Sequence, residues 1–202
     1  MRNILLALAA LLITITLIFN SGEVSLGPGV KVLDAPNQTT YDQPFTFNRG
    51  EFAITEFARF SLKAKVLSKE NYYVGADAEL APVDLALGWQ NMSDEAVLEH
   101  IEISQYARFY FWQVKKFPIP RREIETQSAN MHLIPSNQSI KDTIKRVRVG
   151  DIIELSGSLV SVSSTERDWY WNSSKTRDDT GDGACELILV KFFNIVTDRY
   201  NE

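Results

Sequence analysis

Val149-Gly150-Asp151-Ile152-Ile153-Glu154-Leu155-Ser156-Gly157-Ser158-Leu159-Val160-Ser161-Val162 is the stretch whose reading decides the fold. Gly150-Asp151 turns the chain, and Ile152 to Val162 then reads as a strand. Ile153, Leu155 and Leu159 share one parity, whereas Val160 and Val162 share the other. Side chains alternate faces along a strand, so a change of phase beside Gly157 predicts a β-bulge. Bulges bend and coil a strand, which suits a curled sheet or a small barrel.

Working outward, the same alternation appears in Ala58 to Leu67. Phe60, Leu62, Ala64 and Val66 point one way and Arg59, Ser61, Lys63 and Lys65 the other, as in a half-buried strand. Val83, Leu85 and Leu87 form an apolar segment closed by Gly88-Trp89. Tyr106 to Val114 is aromatic on both parities and reads as a central strand, broken by Phe117-Pro118-Ile119-Pro120. Asp168 to Trp171 and Glu186 to Val196 add two strands, the second apolar on both faces and therefore central. Two short helices are expected. One starts at Ser93 as N-cap, with Asp94 and Glu95 in its first turn. The other has Ser139 to Asp142 as a capping box and an Ile140, Ile144, Val147 stripe. The fold class is thus α+β, mostly β: an N-terminal hydrophobic helix, then a curled antiparallel sheet or small barrel with one or two short helices. Val149 to Val160 also resembles a strand entering OB-type barrels, which implies an OB-like closure.

The N-terminus sets the domain plan. Ile4 to Phe19 carries no charge, Pro or Gly, and Arg2 precedes it. Sixteen helical residues span roughly 24 Å, between a signal-peptide core and a full membrane span. Cutting after Ser21 would leave Phe19 at −3, and cutting after Gly22 would leave Asn20 there, so an uncleaved signal anchor is favoured over a cleaved signal peptide. Residues 1–22 are therefore read as the anchor and 23–48, rich in Gly, Pro, Asn and Asp, as a tether. Residues 49–202 form a single β-rich domain. The single basic residue on the short side places the domain outside the membrane.

A chain of 202 residues with net charge −5 gives no bulk attraction to nucleic acid. Its charge is nevertheless segregated. No Lys or Arg lies between Glu70 and Glu102, whereas Lys115, Lys116, Arg121, Arg122, Lys141, Lys145, Arg146 and Arg148 follow. Such blocks either face each other, lie solvated, or present a basic surface to an acidic partner or anionic headgroups. The lone Cys185 excludes an internal disulfide.

Several residues could carry chemistry. Ser128 and His132, four apart beside apolar residues, would share one face of a helix or a strand and could act as nucleophile and base. Pro135 stops a helix there, and no Gly-x-Ser-x-Gly elbow exists, so a structural histidine is the plainer reading. Cys185 or an Asp of the 178–182 loop could replace Ser128, with Arg121, Arg122 or Arg177 assisting. His100, between Glu99 and Glu102, is less specific. Asp178, Asp179 and Asp182, with Gly181 and Gly183, could wrap a hard cation, although an EF-hand begun at Asp178 would have Leu189 where the bidentate acid belongs. A polar loop is the simpler account. Trp169-Tyr170-Trp171 could stack on a ligand or pack one face into the core.

The stretches Phe117 to Glu125, Ser128 to Pro135 and Thr176 to Glu186 together resemble a group of uncharacterised bacterial proteins with one N-terminal hydrophobic segment. That resemblance implies the bacterial envelope and a non-glycosylated chain, and transfers no catalytic residues. The expectation is a single-pass inner-membrane protein with its domain in the periplasm, or else secreted there. It would serve as a binding or assembly module for another envelope protein or ligand, without a cofactor. The alternatives are a small hydrolase or lyase using His132, and a metal-binding domain built on the 178–182 loop.

Overall fold

The structure, a computed structural model, describes residues 22–174 and 185–197. The expected hydrophobic helix at residues 4–19 lies outside them, as do Arg177, Asp178, Asp179 and Asp182. No helix among the described residues is long and apolar enough to cross a membrane.

The described strands are β1 (Asn37–Arg49), β2 (Phe52–Asn71), β3 (Val83–Gly88), β4 (Glu102–Tyr106), β5 (Phe109–Gln113), β6 (Ser128–Pro135), β7 (Ile152–Ser164), β8 (Tyr170–Asn172) and β9 (Glu186–Ile195). The helices are short: α1 (Ala76–Leu80), α2 (Glu95–Leu98), α3 (Arg121–Thr126) and α4 (Gln138–Arg146). The protein is mostly strand, with a strongly curled sheet in the order β1-β2-β3-β6-β9-β7-β8. The β2 strand also pairs with β7, from Phe52 against Ser164 to Lys65 against Ile152. That pairing closes β2, β3, β6, β9 and β7 into a ring. One departure from the expected antiparallel sheet is the β6–β9 pair, which is parallel. A parallel pair needs a crossover, and α4 and β7 lie on that path.

Inside the ring pack Phe60, Leu62, Ala64 and Val66 of β2, Val83, Leu85 and Leu87 of β3, Met131 and Leu133 of β6, and Ile188 and Val190 of β9. The Ile140, Ile144, Val147 stripe of α4 and its C-terminal residue joins them. The cap of α4 is Asn137, whose side chain accepts from the Ile140 amide, rather than Ser139. A second cluster covers the outer face with Phe52, Ile54, Leu80, Ile134, Val160, Val162, Leu187 and Leu189, flanked by Trp169 and Trp171.

These two clusters explain the phase change that the sequence displays around Gly157. Leu159 points into the ring and Val160 out of it, and both are buried because both faces of β7 are covered. A register break does fall at Ser156/Gly157, and Lys191 of β9 is the extra residue. There the backbones approach so closely that a Cβ on Gly157 would sit 2.0 Å from the Leu189 carbonyl oxygen. A second break, at Phe57, turns Ile54 outward and Ala58 inward although their parities match.

Three further expectations are corrected. The stretch 23–48 is folded onto the barrel instead of forming a tether. The Val24 amide donates to the Val149 carbonyl at 2.8 Å, and residues 37–49 form β1 along β2. Tyr106 to Val114 is not central. It supplies β5 of a separate two-stranded ribbon with β4, one face buried against Leu67, Met92 and Ile124 and the other open to solvent. The Ser93 hydroxyl does not cap α2. Asp94 does, accepting from Ala96, while Ser93 accepts from the Lys31 and Val32 amides.

Candidate functional site

A charge inside an apolar strand demands a partner, because an isolated buried ion loses its hydration without compensation. Asp84 is such a residue. Every residue of β3 is buried, and Asp84 is 0% exposed on the outer side of the ring. Its register partner on β6 is His132, itself 3% exposed. Asp84 Oδ2 lies 2.8 Å from His132 Nδ1. The separation suits a hydrogen bond, but the two groups are not aligned for one.

The cation that completes the cluster is Arg108. It sits at the tip of the β4–β5 ribbon, in the two-residue turn Ala107-Arg108 between the paired Tyr106 and Phe109. Both turn residues have positive φ, 50° and 74°. A turn with two such residues fits the twist of a hairpin but favours Asn and Gly, so Ala and Arg hold it at a cost. Arg108 Nη1 lies 2.7 Å from Asp84 Oδ1 and donates to the Ala81 carbonyl at 2.9 Å. Nε and Nη2 approach Asp77 Oδ2 at 3.0 and 2.9 Å. The guanidinium carbon lies 3.5 Å from the centre of the Tyr72 ring and 5.2 Å from that of Trp171.

The backbone of Arg108 is held as firmly as its side chain. Its amide donates to the Tyr72 hydroxyl at 2.9 Å, and its carbonyl accepts from Asn130 Nδ2 at 2.8 Å. Burial pushes the Tyr72 hydroxyl above the usual tyrosine range, partly opposed by that bond from the Arg108 amide. The phenol therefore stays neutral at physiological pH. The His132 ring lies tilted against that of Trp171, with centroids 4.7 Å apart and planes at 47°. Two carboxylates, one guanidinium, two aromatic faces and an imidazole thus meet on the outside of β3 and β6.

The sequence candidates fall around this cluster unevenly. Ser128 and His132 do share one strand face, but four residues of strand separate them by about 13 Å. The Ser128 hydroxyl donates to the Ile124 carbonyl at 2.7 Å and accepts from the Tyr110 hydroxyl, itself pushed up to about 12 by burial. Cys185 Sγ is 3.9 Å from both Asn130 Nδ2 and the Arg108 carbonyl, so it lies beside the cluster. Arg121 pairs with Glu125 at 2.8 Å on exposed α3, and Arg122 lies on the same exposed turn. His100 is exposed and lines a groove with Glu99, Glu102, Lys115 and Lys116. Trp169 and Trp171 pack on the outer cluster while Tyr170 faces solvent. Among the described residues no group of three His, Cys, Asp or Glu is placed to hold a metal.

Asp77, Asp84, Arg108 and Tyr72 were not singled out by sequence reasoning. Asp84 had a legible signal, as the one charge in an otherwise apolar strand. Arg108 had none, since only the hairpin brings it there. The class that fold and site define is a closed five-stranded barrel carrying a buried arginine–carboxylate cluster under an inserted ribbon. No family model, curated protein or solved structure matches the chain.

Proposed function

We propose that this chain is a binding or assembly module of the bacterial envelope, held at the inner membrane by residues 4–19 with its barrel on the periplasmic side, and without chemistry of its own. The observation that carries the reading is the open face of the ribbon. Tyr106, Phe109 and Phe111 all point to solvent there, 77%, 42% and 50% exposed, with Tyr106 and Phe109 directly paired across the strands. Aromatic side chains gathered on one exposed face are the composition of a protein-contact surface. By contrast, His132 and Ser128 are enclosed within the fold, 3% and 7% exposed, and the Ser128 hydroxyl is taken up by the Ile124 carbonyl.

The fold supports a module of the OB type. Numbered within the ring, the strand order is 1-2-3-5-4-1 with the helix between the third and fourth, and barrels of this type serve mainly as recognition scaffolds. The early docking of the chain fits an anchor. Four residues separate Phe19 from Val24, five peptide steps or at most about 17 Å of extended chain, so the domain would ride close to the bilayer.

Two measurements test the reading. The intact chain should stay with membranes through carbonate washing and keep its full mass; release of a shortened chain would refute the anchor. A photo-crosslinking amino acid at Phe111 should capture a discrete envelope partner in cells, whereas the same probe at Tyr170 should not. Absence of any adduct at Phe111 would sink the module.

A further inference from the structure

The geometry points to a guanidinium-binding cage on the outer face of the barrel, occupied in this state by the chain's own Arg108 and open to an arginine side chain from another polypeptide when the ribbon tip lifts. This goes beyond the envelope reading and does not depend on it, because the cage is built wherever the protein works.

Four observations carry it. First, every wall of the cage belongs to the barrel or its loops: Tyr72 and Asp77 from the β2–β3 connection, Asp84 from β3, and Trp171 from β8. The cage therefore survives departure of Arg108. Second, its chemistry selects a planar cation. Two carboxylates and the Ala81 carbonyl accept in the plane of the guanidinium while Tyr72 and Trp171 offer ring faces, a set that suits arginine better than lysine. Third, the resident leaves capacity unused. Asp84 Oδ2 and His132 Nδ1 are buried without an aligned hydrogen bond, so a guanidinium entering in another pose has an acceptor waiting. Fourth, the ribbon can yield. The strands β4 and β5 pair only with each other and share no ladder with the barrel, and the tip holds two non-glycine residues at positive φ. Lifting the tip breaks side-chain contacts and no sheet pairing.

A tethered occupant competes at high effective concentration, so the intact chain should bind free arginine side chains weakly and an Arg108-deleted chain should bind them openly. The test uses the full chain in detergent. Arg108→Ala should lose thermal stability, and N-acetyl-arginine amide should restore part of it saturably, with half-effect in the millimolar range. N-acetyl-lysine amide should restore at least about fivefold less at equal concentration. Equal rescue by both amides, or none by either, overturns the cage. Should Arg108→Ala fail to fold, Arg108→Lys serves in its place with the same two amides, and the same two results overturn the cage. The latch is read separately by hydrogen exchange on the unsubstituted chain. Amides of 106–109 should exchange at least roughly tenfold faster than those of β3 and β6. Exchange of the tip only through global unfolding would make Arg108 a fixed structural pin and overturn the inference.

Discussion

Single residues carry unusual weight in this barrel. Asp84 is 0% exposed and compensates the Arg108 guanidinium, so Asp84→Ala should cost about 3–5 kcal/mol, seen as a lower urea midpoint at unchanged slope. Gly157→Ala should cost about 3 kcal/mol by the same measurement, since its new methyl meets the Leu189 backbone and neither strand can retreat without breaking the ring. Glu95 gives a pH signature. Burial alone would raise its carboxyl, but the Leu26 amide, Lys65 ammonium and Ser25 hydroxyl outweigh that and lower it from 4.5 to about 2. A carboxyl depressed in the folded state adds stability above its ordinary value and loses it as pH falls towards the folded one. The unfolding midpoint of the wild-type chain should therefore drop between about pH 4.5 and 2 more than that of Glu95→Gln. Local pattern marked Gly157 at a bulge, Glu95 in a helix first turn and Asp84 as a lone charge in an apolar strand, but it gave the two acids no partners. Glu95 and Asp84 draw their roles from partners about 70 and 24 positions away in sequence, respectively, and pattern within a window has no access to such distances.

At the level of elements, the legible parts were those whose burial follows one period. The β2 alternation and the α4 stripe read correctly, because each packs against the core in a regular way; β9 is central as expected, but the bulge at Lys191 breaks its alternation and leaves Phe192 50% exposed. The ribbon defeated the same logic. Phe109 to Trp112 is aromatic on both parities, which means burial on both faces unless one is kept open for contact. The α4 cap was misplaced by two residues because Asn137 and Ser139 are both competent and only the extended backbone at Asn137 decides. Asn137→Ala should accordingly cost about 1 kcal/mol while Ser139→Ala stays within about 0.5 kcal/mol, by denaturant unfolding. The strap over residues 24–32 was invisible for a different reason. Its hydrogen bonds go to Glu95, Ser93 and Val149, so its local Gly and Pro content reads as linker. Glu95→Ala should free it, and limited proteolysis should then cut within 23–36 while leaving the barrel whole.

Across the whole molecule, the segregated charge resolves as two blocks that meet. Arg108 crosses to Asp77 and Asp84, and Lys115 and Lys116 share a groove with Glu99 and Glu102. The closed topology has a further consequence for how the chain is made. The strand β9 lies between β6 and β7, yet it follows both in sequence. Until residues 186–195 are delivered, those two strands present bare edges and the ring stays open between them, while its β2–β7 seam joins residues as far apart as Glu56 and Ser158. Such long-range pairing is slow. A chain delivered from its N-terminus would thus stay unable to close until β9 arrives, its bare edges open to any strand that came their way. The last strand to arrive is the one that shuts the barrel, so closure waits on the residues of β9.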